Sequence, residues 1–272
     1  MPAAKKYRNA PLEYVILQVT HPVAPALSRG ETFALKAALV GSLPLLTNET
    51  VSRLDIMGVV GGGSPSTQVH EEPVVRLSSR DKRTAVTFGI NSIGLETTNY
   101  DTWESMRELA ERVISARMDI APVDGVERIG LRYIDEIRVP GKERPDWHSW
   151  INPKLAPPLL DEAGDDLRVA QQQSIIQYVA ESPNVLVTLR YGAVVGPSAI
   201  QDSQLSRPRV PARGPYFLID TDAAWAPGVG EEVPALEASN VLAEADVLHA
   251  HVKQLFEASL TDRLRTEVLN AE

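Results

Sequence analysis

Cysteine is absent from the 272 residues of this chain. Its absence excludes disulfide bridges, zinc–thiolate sites, cysteine-ligated iron–sulfur clusters and a thiol nucleophile. A chain of this length buries enough surface for a hydrophobic core without such cross-links. Together these features fit a reducing compartment, and we expect a cytoplasmic protein.

Long hydrophobic runs are also missing at the N-terminus. Basic residues precede an apolar stretch there, but Glu13 and Gln18 interrupt it. A signal peptide needs an unbroken apolar centre, and a membrane span needs about 20 apolar residues. We therefore expect no association with a membrane.

Positive charge is in short supply, with 27 Lys and Arg against 36 Asp and Glu and a net charge of −9. The long-range field of such a protein repels nucleic acid, so binding would need a local basic patch. The candidate patch is Arg207, Arg209 and Arg213 in a proline-rich loop, residues 196–215. No aromatic residues are interleaved with these arginines to stack on bases, which favours a solvated loop.

Catalytic signatures are not found either. The segment "GGGSPST" lacks the Gly-Lys-Ser/Thr ending of a phosphate loop and does not open a helix, so a hairpin connection explains it. No serine lies in a Gly-x-Ser-x-Gly elbow. His249 and His251 are two apart on a predicted helix and point about 200° apart, so they cannot share a metal. We expect a half-buried, hydrogen-bonded His249, no cofactor and no catalytic residues.

Periodicity predicts the main elements. A run of β-branched residues predicts the first strand at 12–20. The segment "DTWESMRELAERVISARM" predicts an amphipathic helix, with Asp101 and Glu104 at capping-box spacing. A final helix of about 30 residues is predicted over 239–269, because its apolar positions keep helical spacing.

Strands cluster along the chain instead of alternating strictly with helices. We therefore predict an α+β protein of mainly antiparallel sheets, in two α/β halves that each carry a long amphipathic helix packed on strands. The halves are residues 1–140 and 167–272, joined by a Pro- and Trp-rich connector at 141–166. An echo between "GLRYID" and "TLRYGA" is consistent with related halves, although three shared residues can also arise by chance.

The stretch "RIGLRYIDEI" predicts a strand whose Arg128 and Arg132 lie opposite its apolar residues. One interpretation is a cross-strand charge network with carboxylates of neighbouring strands. The other is recognition of an anion or a partner by the planar guanidinium groups. Arg190, in the echoed segment, belongs to the same hypothesis.

Two aspartates, Asp220 and Asp222, lie two apart on one face of a predicted strand. Paired carboxylates can hold a cation, with Asp55 or Asp135 as a third ligand. Acidic residues on a solvated strand face explain the same pattern, so no metal is assigned.

Four stretches, "NAPLEYVILQV", "YDTWESM", "RIGLRYIDEI" and "LHAHVKQLFEASLTDRLR", occur in an order and at a spacing that resemble a sporadically distributed prokaryotic family without an established function. The resemblance covers most of the chain and departs mainly at residues 140–166 and 196–215. It implies a cytoplasmic bacterial α+β protein with no catalytic residues to carry over. The patchy occurrence of the family implies horizontal transfer, as in toxin–antitoxin, prophage or anti-phage modules.

These observations favour a non-enzymatic binding or regulatory protein that acts through a protein partner, antitoxin-like or part of phage defence, with the partner encoded nearby. A net acidic surface suits a basic partner. The predicted contact residues are Trp147, Trp150 and the arginines of the loop, since Trp and Arg are common interface anchors. The two tryptophans fit equally well as residues that fill one edge of the sheet. The alternative is a sensor of, or an enzyme on, a small anionic ligand held between the halves by Arg128, Arg132 or Arg190. A nucleic-acid binder is the weaker alternative, and homo-oligomerisation is left open.

Overall fold

The computed structural model describes residues 7–57, 66–157, 170–200 and 204–271, with the side chains of 48–57 and 66–72 outside the description. The "GGGSPST" hypothesis, the suggested ligand Asp55 and residues 158–166 of the predicted connector therefore lie outside this description.

A single antiparallel sheet of nine strands forms the body of the fold, in the order β2-β3-β4-β5-β1-β6-β9-β8-β7. The strands are β1 Leu12–Thr20, β2 Leu45–Met57, β3 Ser66–Ser78, β4 Thr84–Phe88, β5 Ser92–Thr97, β6 Arg128–Ile137, β7 Ser174–Val179, β8 Val185–Gly196 and β9 Gly214–Trp225. The α+β class and the antiparallel pairing are thus confirmed. Strands from the two predicted halves meet where β6 pairs with β9, while the division into halves stays a prediction.

The helices are α1 Arg29–Leu39, α2 Trp103–Ile120, α3 Trp147–Trp150, α4 Ala238–Ser259 and α5 Asp262–Leu264, followed by a π-helical turn at Arg265–Leu269. The predicted cap of α2 is wrong by one residue. Thr102 is the N-cap and forms a capping box with Ser105, whose backbone N–H donates to the Thr102 hydroxyl. No helix in the described part of the chain has both the length and the apolar character of a membrane span.

The predicted continuous C-terminal helix is also wrong, because it breaks at Leu260. This residue is extended and forms a bridge with Ile151. Thr261 then caps a new helix by accepting a hydrogen bond of 3.2 Å from the Leu264 backbone. Apolar spacing continues through the break because Leu264 packs into a second hydrophobic cluster, around Trp150 and Phe217.

All the described helices pack on one face of the sheet. The main core lies there, between α1, α2, α4 and the inward residues of the central strands, such as Val15, Leu131 and Val187. The predicted apolar stripe of α2 is buried in this core. The second cluster continues the same face toward α3 and α5. The opposite face, which we call the open face, has no helix over it in the described ranges.

One loop crosses part of the open face. Its described residues, 197–200 and 204–213, follow β8 and reach the turn between β3 and β4, where the Ser206 backbone N–H donates to the Lys82 carbonyl at 2.7 Å. Beneath the loop lies a small apolar cluster of Ile134, Tyr216 and Leu218. The loop therefore covers one end of the open face and leaves the other end to solvent.

Candidate functional site

The uncovered end of the open face carries a group of charged residues that we call the arginine face: Arg128, Arg132, Arg190, Asp220 and Asp222. They come from β6, β8 and β9, which are neighbours in the sheet. In both Leu-Arg-Tyr segments the Leu and Tyr are buried and the Arg is partly exposed, as strand alternation predicts. The fold thus brings together five residues that are up to 94 positions apart in the sequence.

The best-defined contact of the arginine face joins Arg132 to Asp220. Arg132 Nε and Nη2 donate to the two carboxylate oxygens of Asp220, each at 2.7 Å. The Asp220 side chain is 6% exposed, whereas that of Arg132 is 41% exposed. These hydrogen bonds raise the pKa of Arg132 above its ordinary value, so the guanidinium stays charged at neutral pH.

A second guanidinium approaches the same carboxylate. Arg190 Nη1 lies 3.7 Å from Asp220 Oδ2, which is too long for a hydrogen bond, and its side chain is 40% exposed. Arg128 Nη2 lies 3.5 Å from Asp222 Oδ1, with the Arg128 side chain 37% exposed. One buried carboxylate therefore lies beside two arginines, and the side chains of all three arginines stay partly exposed.

The ion pairs described on the open face involve six arginines and five carboxylates: Arg76, Arg128, Arg132, Arg138, Arg190, Arg207, Glu13, Glu96, Glu136, Asp220 and Asp222. Arg76 and Glu96 are only 11% and 14% exposed, and Glu96 also accepts from the Tyr14 hydroxyl. Access to solvent is thus concentrated at Arg128, Arg132 and Arg190.

The loop arginines fall into two kinds. Arg207 is buried against the sheet, where Nη1 donates to Ser198 Oγ at 2.7 Å and to the Ile200 carbonyl at 2.9 Å, and Nη2 donates to Glu13. Arg209 and Arg213 are exposed. The three do not present one basic surface, because the guanidinium of Arg207 is occupied within the protein.

The loop is also anchored by Glu136, whose side chain is fully buried. Its carboxylate accepts hydrogen bonds from the Ser198 hydroxyl, from the Ala199 backbone N–H at 2.7 Å and from Arg138 Nη2 at 2.8 Å. Strand alternation places Glu136 on the same side of β6 as Arg132. Its burial under the loop could not be read from strand periodicity.

Trp147 and Trp150 lie away from the arginine face. Both are buried in the second hydrophobic cluster, with Trp147 packed on Phe217 and the Arg263 guanidinium 4.1 Å above the Trp150 ring. Trp147 and Arg213 line a cavity of about 710 Å³. Residues 158–169, which connect two of its lining residues, lie outside the description, so we assign this cavity no role.

Sequence reasoning missed a buried polar cluster between the sheet, α2 and α4. The Tyr133 hydroxyl lies 3.1 Å from the Tyr100 hydroxyl and 3.2 Å from His249 Nδ1. The Trp103 ring stacks on His249 with ring centres 4.7 Å apart, and its Nε1 donates to Asp246 at 2.6 Å. Burial lowers the pKa of His249 to about 4. The predicted half-buried, hydrogen-bonded His249 is confirmed, and it joins two helices to the sheet.

The suggested cation site does not assemble with Asp135 as its third ligand. Asp220 and Asp222 are each paired with arginine, and Asp135 is buried on the opposite, helix-covered face. That version of the site is wrong because strand alternation sends residue 135 of β6 to the side of Tyr133, whereas Asp220 faces the side of Arg132. The alternative third ligand, Asp55, lies outside the described side chains. No group of three or more His, Asp or Glu suited to a metal occurs among the described residues.

Comparison of the chain with known protein families and with curated proteins finds no match. The family resemblance therefore stays an expectation.

Proposed function

We propose that this chain is a non-enzymatic binding protein of the bacterial cytoplasm that contacts a protein partner through the arginine face. The supporting observation is the bidentate pair of Arg132 and buried Asp220, with Arg190 beside it, on a part of the sheet that no described helix or loop covers.

Buried Asp220 pre-orients the exposed arginines. A guanidinium that is already held loses less side-chain entropy when it binds, which favours affinity. Arg132 uses Nε and Nη2 for Asp220 and keeps Nη1 for a partner. Because guanidinium groups match carboxylates in a bidentate geometry, an acidic segment of the partner suits this face better than a basic one. The local charge thus outweighs the net charge of the chain at short range.

A small anionic ligand is the second candidate, and it rests on the same arginines. Small-molecule sites are concave and bury most of their ligand. The arginine face instead lies on a sheet surface, with guanidinium groups about 40% exposed. This exposure favours a macromolecular partner. Nucleic acid is the weakest candidate, since Arg207 is occupied by Glu13 and Ser198.

An antitoxin-like or anti-phage role is the biological form of this proposal. It rests on the resemblance to a patchily distributed prokaryotic family, and the partner would be the toxin or the effector. The geometry contributes the surface and the chemistry that it recognises.

Native mass spectrometry of the protein purified gently from its own host tests the proposal. The informative variant is Arg128→Gln/Arg190→Gln, since these arginines make the longer ion pairs and leave the Arg132–Asp220 pair intact. Arg112→Gln is the control, an exposed arginine of α2 on the helix side. We expect a companion protein in fixed stoichiometry with the native chain and the control, and its loss with the double variant. A small-mass adduct lost on unfolding would favour the ligand sensor, and a companion that the double variant retains would contradict the proposed surface.

A further inference from the structure

The strand β7 ends the sheet, and no described strand pairs with its outer side. Backbone hydrogen bonds at the two ends of β7 show which of its residues point their N–H and C=O groups toward β8. The Gln172 and Ala180 backbone N–H groups donate to Ala193 and Val185 of the inner neighbour, at 2.8 and 3.1 Å. Since the direction alternates along an antiparallel strand, residues 175, 177 and 179 point their N–H and C=O groups outward. These outward groups can pair with another strand.

This edge lacks the devices that usually protect a strand from pairing. Edge strands are commonly protected by charged side chains or proline, yet residues 170–180, "AQQQSIIQYVA", contain neither. Ile175 and Val179 are 66% and 85% exposed on the open-face side, with exposed Leu186 opposite Val179 on β8. An uncharged edge with exposed apolar side chains, which no described strand pairs with, is a surface suited to being covered in a chain that is 23% charged residues.

We infer that β7 pairs with β7 of a second copy of this chain, antiparallel, about a twofold axis at Gln177. In this register Ile175 lies opposite the partner's Val179 on one face, and Ile176 lies opposite the partner's Tyr178 on the other. Gln177 faces its own counterpart at the axis. The outward residues 175, 177 and 179 become hydrogen-bonded pairs, each exchanging two N–H···O bonds.

The self-complementary pattern is what points to a second copy. Polarity along residues 175–179 reads the same in both directions about Gln177, as apolar, apolar, polar, apolar, apolar. Moving the axis to Ile176 places Gln177 opposite Ile175, and moving it to Tyr178 places Gln177 opposite Val179. Of these three registers, only the one at Gln177 places apolar residues opposite apolar residues across 175–179. A foreign strand would not require this symmetry.

Charge also favours this edge for self-association. Two copies with a net charge of −9 repel each other over most approaches. The uncharged stretch 170–180 offers a contact without like charges. A strand pair by itself is smaller than the roughly 1,200 Å² of a stable specific interface, so the dimer dissociates on dilution.

The pairing extends the proposed function but does not rest on it. The twofold axis is perpendicular to the sheet, because open-face residues pair with open-face residues. Both arginine faces therefore lie on the same side of one continuous sheet, with Arg190 on the strand next to the junction. A partner with two acidic segments would gain affinity from such a bivalent surface.

Sedimentation velocity from about 1 to about 100 µM tests the dimer, a range that brackets micromolar affinity. We expect a monomer–dimer equilibrium for the native chain and monomer throughout for Ile175→Lys/Val179→Lys, which places like charges opposite each other. The control Val229→Lys changes an exposed valine outside the strands and keeps the dimer. Monomer at every concentration, or a dimer that tolerates the paired lysines, would overturn the inference.

The absence of cysteine allows a second test of the register. Opposite Cα atoms in a hydrogen-bonded antiparallel pair are about 5.5 Å apart, within the range of a disulfide. Gln177→Cys should therefore form a covalent dimer under mild oxidation. Tyr178→Cys is the control, because its counterpart lies opposite Ile176 and the two sulfurs are out of reach. Equal cross-linking of both variants would contradict the register. The arginine face is tested separately, by the loss of the companion protein in native mass spectrometry.

Discussion

Arg132 holds the carboxylate of Asp220 through two parallel hydrogen bonds of 2.7 Å, between neighbouring strands of the open face. The arginine is partly exposed and the aspartate is buried. The cross-strand charge network and the recognition surface, which are alternatives at the level of sequence, thus share the same atoms. The buried carboxylate supports the fold and orients the groups that remain free to bind.

Removal of the charge of Asp220 should destabilise the protein. Asp220→Asn leaves Arg132 and Arg190 without their shared anion and disrupts the bidentate contact. We expect the free energy of unfolding in urea to fall by about 1–2 kcal/mol, a range reduced for the exposure of Arg132. Asp222→Asn is the matched control, with one contact of 3.5 Å, and should cost less than about 0.5 kcal/mol. Equal losses would show that the bidentate geometry does not matter.

The buried carboxyl group of Asp135 should lower the free energy of unfolding as the pH rises to neutral and above. Burial raises its pKa well above the ordinary value, and repulsion by Glu13 and Asp220 adds to the effect. A raised pKa means that the favourable contribution is present below the unfolded pKa, near 4, and is lost as the pH rises. Asp135→Asn should therefore raise the melting temperature at pH 8 and leave it nearly unchanged at pH 3.5. The control Asp119→Asn, at an exposed site, should leave the melting temperature nearly unchanged at both pH values.

His249 should make the protein less stable in mild acid. Burial holds its pKa at about 4, nearby Lys253 lowers it further, and Glu104 and Asp246 oppose the shift. The folded state thus binds fewer protons than the unfolded state between about pH 4 and 6.5, so stability falls as the pH drops through this window. His249→Phe keeps the ring stacked on Trp103, and it should reduce the loss between pH 7 and 5 by roughly 1–3 kcal/mol. An unchanged pH dependence would contradict a neutral, buried imidazole.

Arg207 should control the order of the loop that crosses the open face. Arg207→Met removes contacts to Glu13, Ser198 and Ile200 together. We expect faster amide hydrogen exchange at Ala199, whose N–H donates to Glu136, because the loop detaches more often. Arg209→Met, at an exposed arginine of the same loop, should leave the exchange rate as it is.

Elements with a clear period were predictable because their signals are local. The strand at 12–20 matches β1, and alternation placed Arg132 opposite Leu131 and Tyr133. The failures came where contacts override the pattern. The final helix ends early because Leu260 pairs with Ile151 in another segment. Thr102 replaces Asp101 as the N-cap of α2 because its hydroxyl accepts a hydrogen bond from the Ser105 backbone N–H.

The amino-acid sequence by itself determined the class of the fold, the absence of thiol chemistry, the faces of the strands and the uncharged, symmetric character of residues 175–179. These properties depend on composition and on short periods, which need no knowledge of distant neighbours. Tertiary structure alone decided that β9 lies between β6 and β8. Strand order joins residues far apart in the chain, and it is this order that places Arg132 and Arg190 on one carboxylate, puts Asp135 on the other face and leaves β7 at the edge.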